Sequence, residues 1–131
     1  MLEHFHVPEE DKVFVRREDL LKTTTDVFLA MGMPLEDAEL AANGLITADI
    51  RGCETHGVSN MMRRYIEGVN DGFINPTPKW TITRETPTTA NVDCDRGLGI
   101  AVIPQVMELA IEKAKVAGIG AVAVTNSGHF G

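Results

Sequence analysis

With 131 residues, 44% of them hydrophobic, the chain can bury a core of ordinary domain size. A net charge of −7 excludes the basic face that nucleic acid or an anionic membrane surface requires, and a single Trp and a single Tyr leave no platform for stacking bases. No apolar run approaches the roughly 20 residues of a membrane span, the start lacks a basic-then-apolar leader pattern, and Cys53 and Cys94 share no CxxC spacing, so a reduced, cytoplasmic protein is expected.

Residues 1–12 are polar, and the stretch 1–14 reads as a flexible lead-in; His4 and His6 alternate like a metal-binding pair but have no third ligand nearby. Val15, Leu20, Leu21, Val27, Phe28 and Met31 recur at helical spacing and predict a helix over 17–31, ended by Gly32. A second helix is predicted over 34–49, with Glu36 and Asp37 at its positive end and Leu40, Ala41, Leu45 and Ile46 on its buried stripe. So short a link implies an antiparallel pair. After the irregular stretch that begins at Arg51-Gly52, Ser59 is the expected N-cap of a third helix over 59–71, with Met62, Tyr65, Ile66 and Val69 inward. The helical region thus spans 15–78 and closes on the loop Asn75-Pro76-Thr77-Pro78.

From Lys79 the period changes from 3.6 to 2. Two short strands, near 80–84 and 89–93, read as a hairpin around Pro87. The turn 95–99 leads into a helix from 100 or 104 to 117, with Val106, Leu109, Ala110 and Ala114 inward and Glu108, Glu112, Lys113 and Lys115 outward, and Gly118 as its C-cap. Residues 119–124 (IGAVAV) are apolar on both faces, as in a strand covered on two sides. The order ααα-ββ-α-β gives an α/β class, with 79–131 as the start of an α/β region that is cut short, because a buried strand needs neighbours that the chain does not supply. The competing reading is a complete small α+β domain whose last strand pairs with the hairpin.

Three stretches carry candidate chemistry. The turn Asn126-Ser127-Gly128-His129-Phe130-Gly131 follows the carboxyl end of a buried-type strand, where open α/β sheets bind ligands; its small residues admit a ligand and His129 exchanges a proton near neutral pH. The competing reading is a surface loop with an incidental histidine. In Thr55-His56-Gly57 a hydroxyl beside an imidazole can orient it, and Arg51 is near enough in sequence to add positive charge; the alternative is a histidine interacting with the carbonyl end of the second helix. Gly97-Leu98-Gly99 is not a dinucleotide fingerprint, since the third small residue would fall on Val102, and is expected instead to be a strand-to-helix turn with glycines at special dihedrals.

Taken together, these segments resemble the N-terminal third of the type 2 malate/L-lactate dehydrogenase family. The resembling residues run from Ala48 to Ser59 (ADIRGCETHGVS), Asp71 to Pro76 (DGFINP), Gly97-Leu98-Gly99, Met107 to Ala114 (MELAIEKA) and Ala123 to Gly131 (AVTNSGHFG). The resemblance implies the incomplete start of an α/β fold distinct from the classical Rossmann type: N-terminal helices, a hairpin and the first buried strand of a mixed sheet. It implies an oxidoreductase moving hydride between NAD or NADP and a small 2-hydroxy or 2-oxo acid, homodimeric at full length, with the isolated chain inactive. On the family pattern His129 is the proton donor or acceptor, Thr55 and His56 are catalytic candidates near the substrate carboxylate with a part in proton relay, and Ser127, Gly128, Phe130 and Gly131 approach the cofactor. Where many members carry an Arg four residues after the motif histidine this chain has Asn60, a candidate substrate contact, and the carboxylate partner stays open among Arg51, Arg63 and Arg64. A second function class is a free-standing non-catalytic α+β module that binds a partner through an exposed sheet edge.

Overall fold

The computed structural model describes residues 8–130, so His4, His6 and Gly131 lie outside the described residues. The chain forms two compact units, one ending at Asn70 and the next beginning at Asp71. The loop 71–79 falls in the second unit. That loop is hydrogen-bonded into the second unit: Asn75 N–H donates to the Arg96 carbonyl at 2.9 Å, and Arg96 Nη1 donates to the Gly72 carbonyl at 2.8 Å.

In the first unit, a 3-10 turn (Glu9–Asp11) precedes α1 (Arg17–Ala30), α2 (Leu35–Ile50) and α3 (Val58–Asn70), with a second 3-10 turn (Glu54–His56) between α2 and α3. Arg17 at the start of α1 reaches Asn43 Oδ1 in the second half of α2 at 3.3 Å, as in an antiparallel pair. Phe28, Leu45 and Ile46 are fully buried, each stabilising the unit by about 1.5–3 kcal/mol relative to exposure. Ala38, Ala41 and Ala42 let the helices approach closely, and Tyr65 of α3 stacks tilted on Phe28 at 6.3 Å. Val15, expected inward, is exposed, because α1 begins only at Arg17.

The second unit is a three-stranded mixed sheet and one helix. Strands β1 (Thr81–Glu85) and β2 (Thr89–Asp93) form the expected hairpin, in antiparallel register with a bulge between Ile82 and Arg84. Helix α4 (Gly99–Ala117) then crosses over to β3 (Ala121–Thr125), which pairs in parallel with β2 from Thr89↔Ala121 to Asp93↔Thr125. The last strand thus does pair with the hairpin. Val92, Cys94, Val102 and Val106 form the core, with Trp80, Leu109, Val122 and Val124 packed against it.

β3 is not covered on both faces: Val122 and Val124 are half-buried under α4, while Ala121, Ala123 and Thr125 are exposed, since no described element packs on that side. Lys113 does not point outward. It is only 8% exposed and donates to Glu85 Oε1 at 2.8 Å and to the Thr86 carbonyl at 2.7 Å, pinning the tip of the hairpin to α4.

The Lys113 anchor should therefore matter more than its neighbours. Lys113→Ala is expected to cost about 2 kcal/mol, the range for hydrogen bonds to a charged group. Lys115→Ala, whose pair with Glu112 is 63% exposed on both sides, should leave the unfolding midpoint essentially unchanged. Urea unfolding followed by the fluorescence of Trp80 checks this, and equal small losses would refute the anchor.

Candidate functional site

The first candidate region is built at the carboxyl end of α2. The helix ends in a Schellman motif: Cys53 N–H donates to the Ala48 carbonyl at 2.8 Å and Gly52 N–H to the Asp49 carbonyl at 3.0 Å, with Gly52 in the left-handed region at φ 71°. The chain doubles back into the 3-10 turn, where Thr55 Oγ1 and His56 Nδ1 stand 2.8 Å apart. The hydroxyl thus holds one ring nitrogen and fixes the plane of the half-buried imidazole.

Helix α3 starts at Val58, one residue before the expectation, and Ser59 is not its cap. Its N-terminus is served instead by Asp49 at the far end of α2, whose Oδ2 accepts the Val58 N–H at 3.0 Å. The same carboxylate lies on Gly57 so closely that a Cβ there would stand 1.5 Å from Oδ1. Asn60 donates to the Glu54 carbonyl at 2.7 Å, which ties the first turn of α3 to the 3-10 turn. Its amide nitrogen is therefore engaged in shaping the loop.

The three arginines differ. Arg51 is exposed at the C-cap of α2, on the same turn-back as Thr55 and His56. Arg63 is paired with Glu67 at 2.8 Å, and that hydrogen bond and charge raise its guanidinium further above the ordinary value. Arg64 is exposed on α3 and makes no ion pair among the described residues.

The second candidate region continues the parallel ladder beyond the strands. Cys94 N–H donates to the Thr125 carbonyl at 3.0 Å, Arg96 N–H to Asn126 at 2.8 Å, and Gly128 N–H to Gly97 at 3.0 Å. Residues 126–128 are thereby held on the turn 94–99 almost as a strand is held, and His129 follows with its side chain exposed. Left-handed dihedrals do occur in this region, but on Asp95, Arg96 and Asn126, at φ 51°, 58° and 56°, and not on Gly97 or Gly99. Asx-type side chains at two of these positions tolerate that conformation by hydrogen-bonding locally. The glycines answer a different need, close approach: a Cβ on Gly99 would lie 2.4 Å from the Gly128 carbonyl oxygen and 2.8 Å from that of His129. Those two carbonyls sit against the first residue of α4, where their partial negative charge complements the helix dipole.

Side chains complete the clamp. Asp93 Oδ1 accepts from Asn126 Nδ2 at 3.1 Å and from Asp95 N–H at 2.8 Å, and Asp95 Oδ2 accepts from Asn75 Nδ2 at 2.9 Å and from Lys79 N–H at 3.0 Å. Ser127 is half-buried and donates to the Gly128 carbonyl at 2.9 Å. Burial pushes the Cys94 thiol up, opposed in part by a hydrogen bond with Ser127, so this sulfur is packing under the loop and not a nucleophile. Asp49 and Asp93 are the residues whose roles sequence reasoning missed; each acts on a partner that no local spacing identifies.

The backbone N–H of Asp95, and then the Asn126 amide, hold the Asp93 carboxyl below its usual value. A folded pKa lower than the unfolded one gives stabilisation that is present above the unfolded pKa, about 4, and is lost as pH falls through the folded value. The Asn126 side-chain amide resonance should therefore stay constant from about pH 6 to 4 and shift only below. A shift completed above about pH 5 would contradict this clamp.

A family model described as malate/L-lactate dehydrogenase matches residues 15–131. The chain is 44% identical over 123 residues to a malate dehydrogenase of Pyrococcus abyssi, covering 94% of this chain and 34% of that protein. It is 41% identical over 119 residues to an L-sulfolactate dehydrogenase of Methanocaldococcus jannaschii, with 91% and 34% covered. Among solved structures, the malate dehydrogenase of Pyrococcus horikoshii superposes with a TM-score of 0.89 at 41% identity, over 96% of this chain and 36% of that one. The sulfolactate dehydrogenase of M. jannaschii superposes at 0.87 and 41% identity, over 91% and 34%. The chain spans about a third of the length of the curated relatives it matches. The two candidate regions thus stand on a chain that belongs to the malate/L-lactate dehydrogenase family.

Proposed function

We propose that this chain is the N-terminal part of a homodimeric oxidoreductase that moves hydride between NAD or NADP and a small 2-hydroxy or 2-oxo acid of the malate or lactate class. The observation that carries the reading is the clamped segment 126–128, which fixes the backbone of His129 while leaving its imidazole exposed. An alcohol that gives up a hydride must also lose a proton, and an imidazole nitrogen is suited to take it. His129 serves as that acid and base. Thr55 orients His56 toward the substrate carboxylate, and Arg51, on the same turn-back, supplies the charge that holds it.

The chemistry that NAD or NADP supplies when bound is the acceptance or return of the hydride. The residues present fit its reacting end better than its phosphates. Ser127, Gly128, Phe130 and Gly131 are the proposed contacts at the reacting end. The first turn of α4, a natural anion site, is already faced by the carbonyls of Gly128 and His129. Phosphate contacts belong to the remaining length of the family fold. A second reading, a non-catalytic module, draws on β3, whose outer edge pairs with no described strand.

In the enzyme made from the complete reading frame, His129→Ala should lower kcat about 10²–10⁴-fold while nicotinamide binding stays within about twofold. Arg51→Ala should raise KM for the acid about tenfold or more, from the loss of a charge-assisted hydrogen bond, and Arg63→Ala should leave it nearly unchanged. Unaltered turnover in the histidine variant, or absence of any nicotinamide-linked oxidation of 2-hydroxy acids, would sink the proposal.

A further inference from the structure

His56 sits on a short 3-10 turn, a structure with little stiffness of its own. Its orientation must come from what backs it. Upstream, the Schellman motif fixes where the chain leaves α2, through Ala48 and Asp49 carbonyls. Downstream, the chain must enter α3 at Val58, where Asn60 ties the first turn of α3 to the Glu54 carbonyl and one carboxylate reaches the helix end itself. Asp49 Oδ2 accepts the Val58 N–H at 3.0 Å, and its Oδ1 is packed on the Cα of Gly57, the residue after His56. Gly57 is buried, and no larger residue fits while the carboxylate is in place.

We propose that Asp49 is the positioning residue of His56. One carboxylate, rooted in the last turn of α2, bridges to the first N–H of α3 and so closes the turn 50–57 into a ring of fixed circumference. Within that ring, the Thr55 Oγ1 to His56 Nδ1 contact of 2.8 Å is held in register. Asp49 touches neither substrate nor cofactor. It acts only through where it places the imidazole, and the inference rests on His56 taking part in the reaction proposed above.

The test is a double-mutant cycle on the enzyme made from the complete reading frame, with pyruvate and oxaloacetate as probes. Asp49→Ala should lower kcat about 10²-fold, the penalty for displacing a catalytic group by about 1 Å, with nicotinamide Kd unchanged. In the His56→Ala background the same substitution should cost less than about twofold, because the group it positions is gone. Asp49→Asn, whose amide oxygen can still accept the Val58 N–H, should recover most of the lost rate. If Asp49→Ala does not fold, Asp49→Ser, with a hydroxyl too short to bridge, takes its place in the cycle. Additive losses, with His56→Ala itself impaired, would overturn the positioning role alone. Full activity in His56→Ala would overturn the reading of the site beneath it, and the positioning role with it.

Discussion

The parallel pairing of β2 with β3 is the constraint on which the second unit depends. Parallel strands require a crossover, so α4 must span the sheet, and its buried face supplies the core on Val92 and Cys94. The ladder then outlasts the strands. Main-chain bonds from Cys94, Arg96 and Gly128 carry the pairing through a turn and into the histidine-bearing segment. The segment has no regular secondary structure, yet its backbone is specified much as a strand is.

The first unit reaches a similar end by another route. Around Thr55 and His56 no sheet is available, and the loop is fixed by helix-end chemistry. A Schellman motif closes one side, and side-chain acceptors and donors from Asp49 and Asn60 close the other. Ladders spread the burden over many main-chain bonds, whereas here it rests on two side chains.

Much of the fold was legible because its period is strong. The stripes of α2 and α4, the hairpin about Pro87 and the cap at Gly118 all follow from local rules and appear where expected. The errors come from partners, present or absent, that lie outside the local sequence. Lys113 looks like a solvated lysine until Glu85 and Thr86, in the hairpin, are brought against it. Ser59 looks like a cap, but Asp49 reaches the helix end first. The apolar faces of 119–124 suggested cover on both sides, which the described residues supply on only one. At the candidate site, histidines and arginines could be named from residue type and family pattern, whereas the groups that hold them could not. Asn60 shows the difference: its place in the motif is legible, whereas its bond to the Glu54 carbonyl is not.

Gly99 bears on attempts to make this protein more heat-resistant. A glycine with ordinary dihedrals in the first turn of a helix is a standard target for replacement by alanine, which reduces the freedom of the unfolded chain and commonly raises stability by about 0.4–1 kcal/mol. Gly99 meets the usual criterion, since its φ is not positive. Its missing methyl, however, is the space in which the Gly128 carbonyl lies. Alanine there would push on the segment that carries His129, so a choice made from dihedral angles alone would trade a gain in melting temperature for a displaced imidazole. Here the volume around a glycine, and not its backbone angle, decides whether it can be replaced.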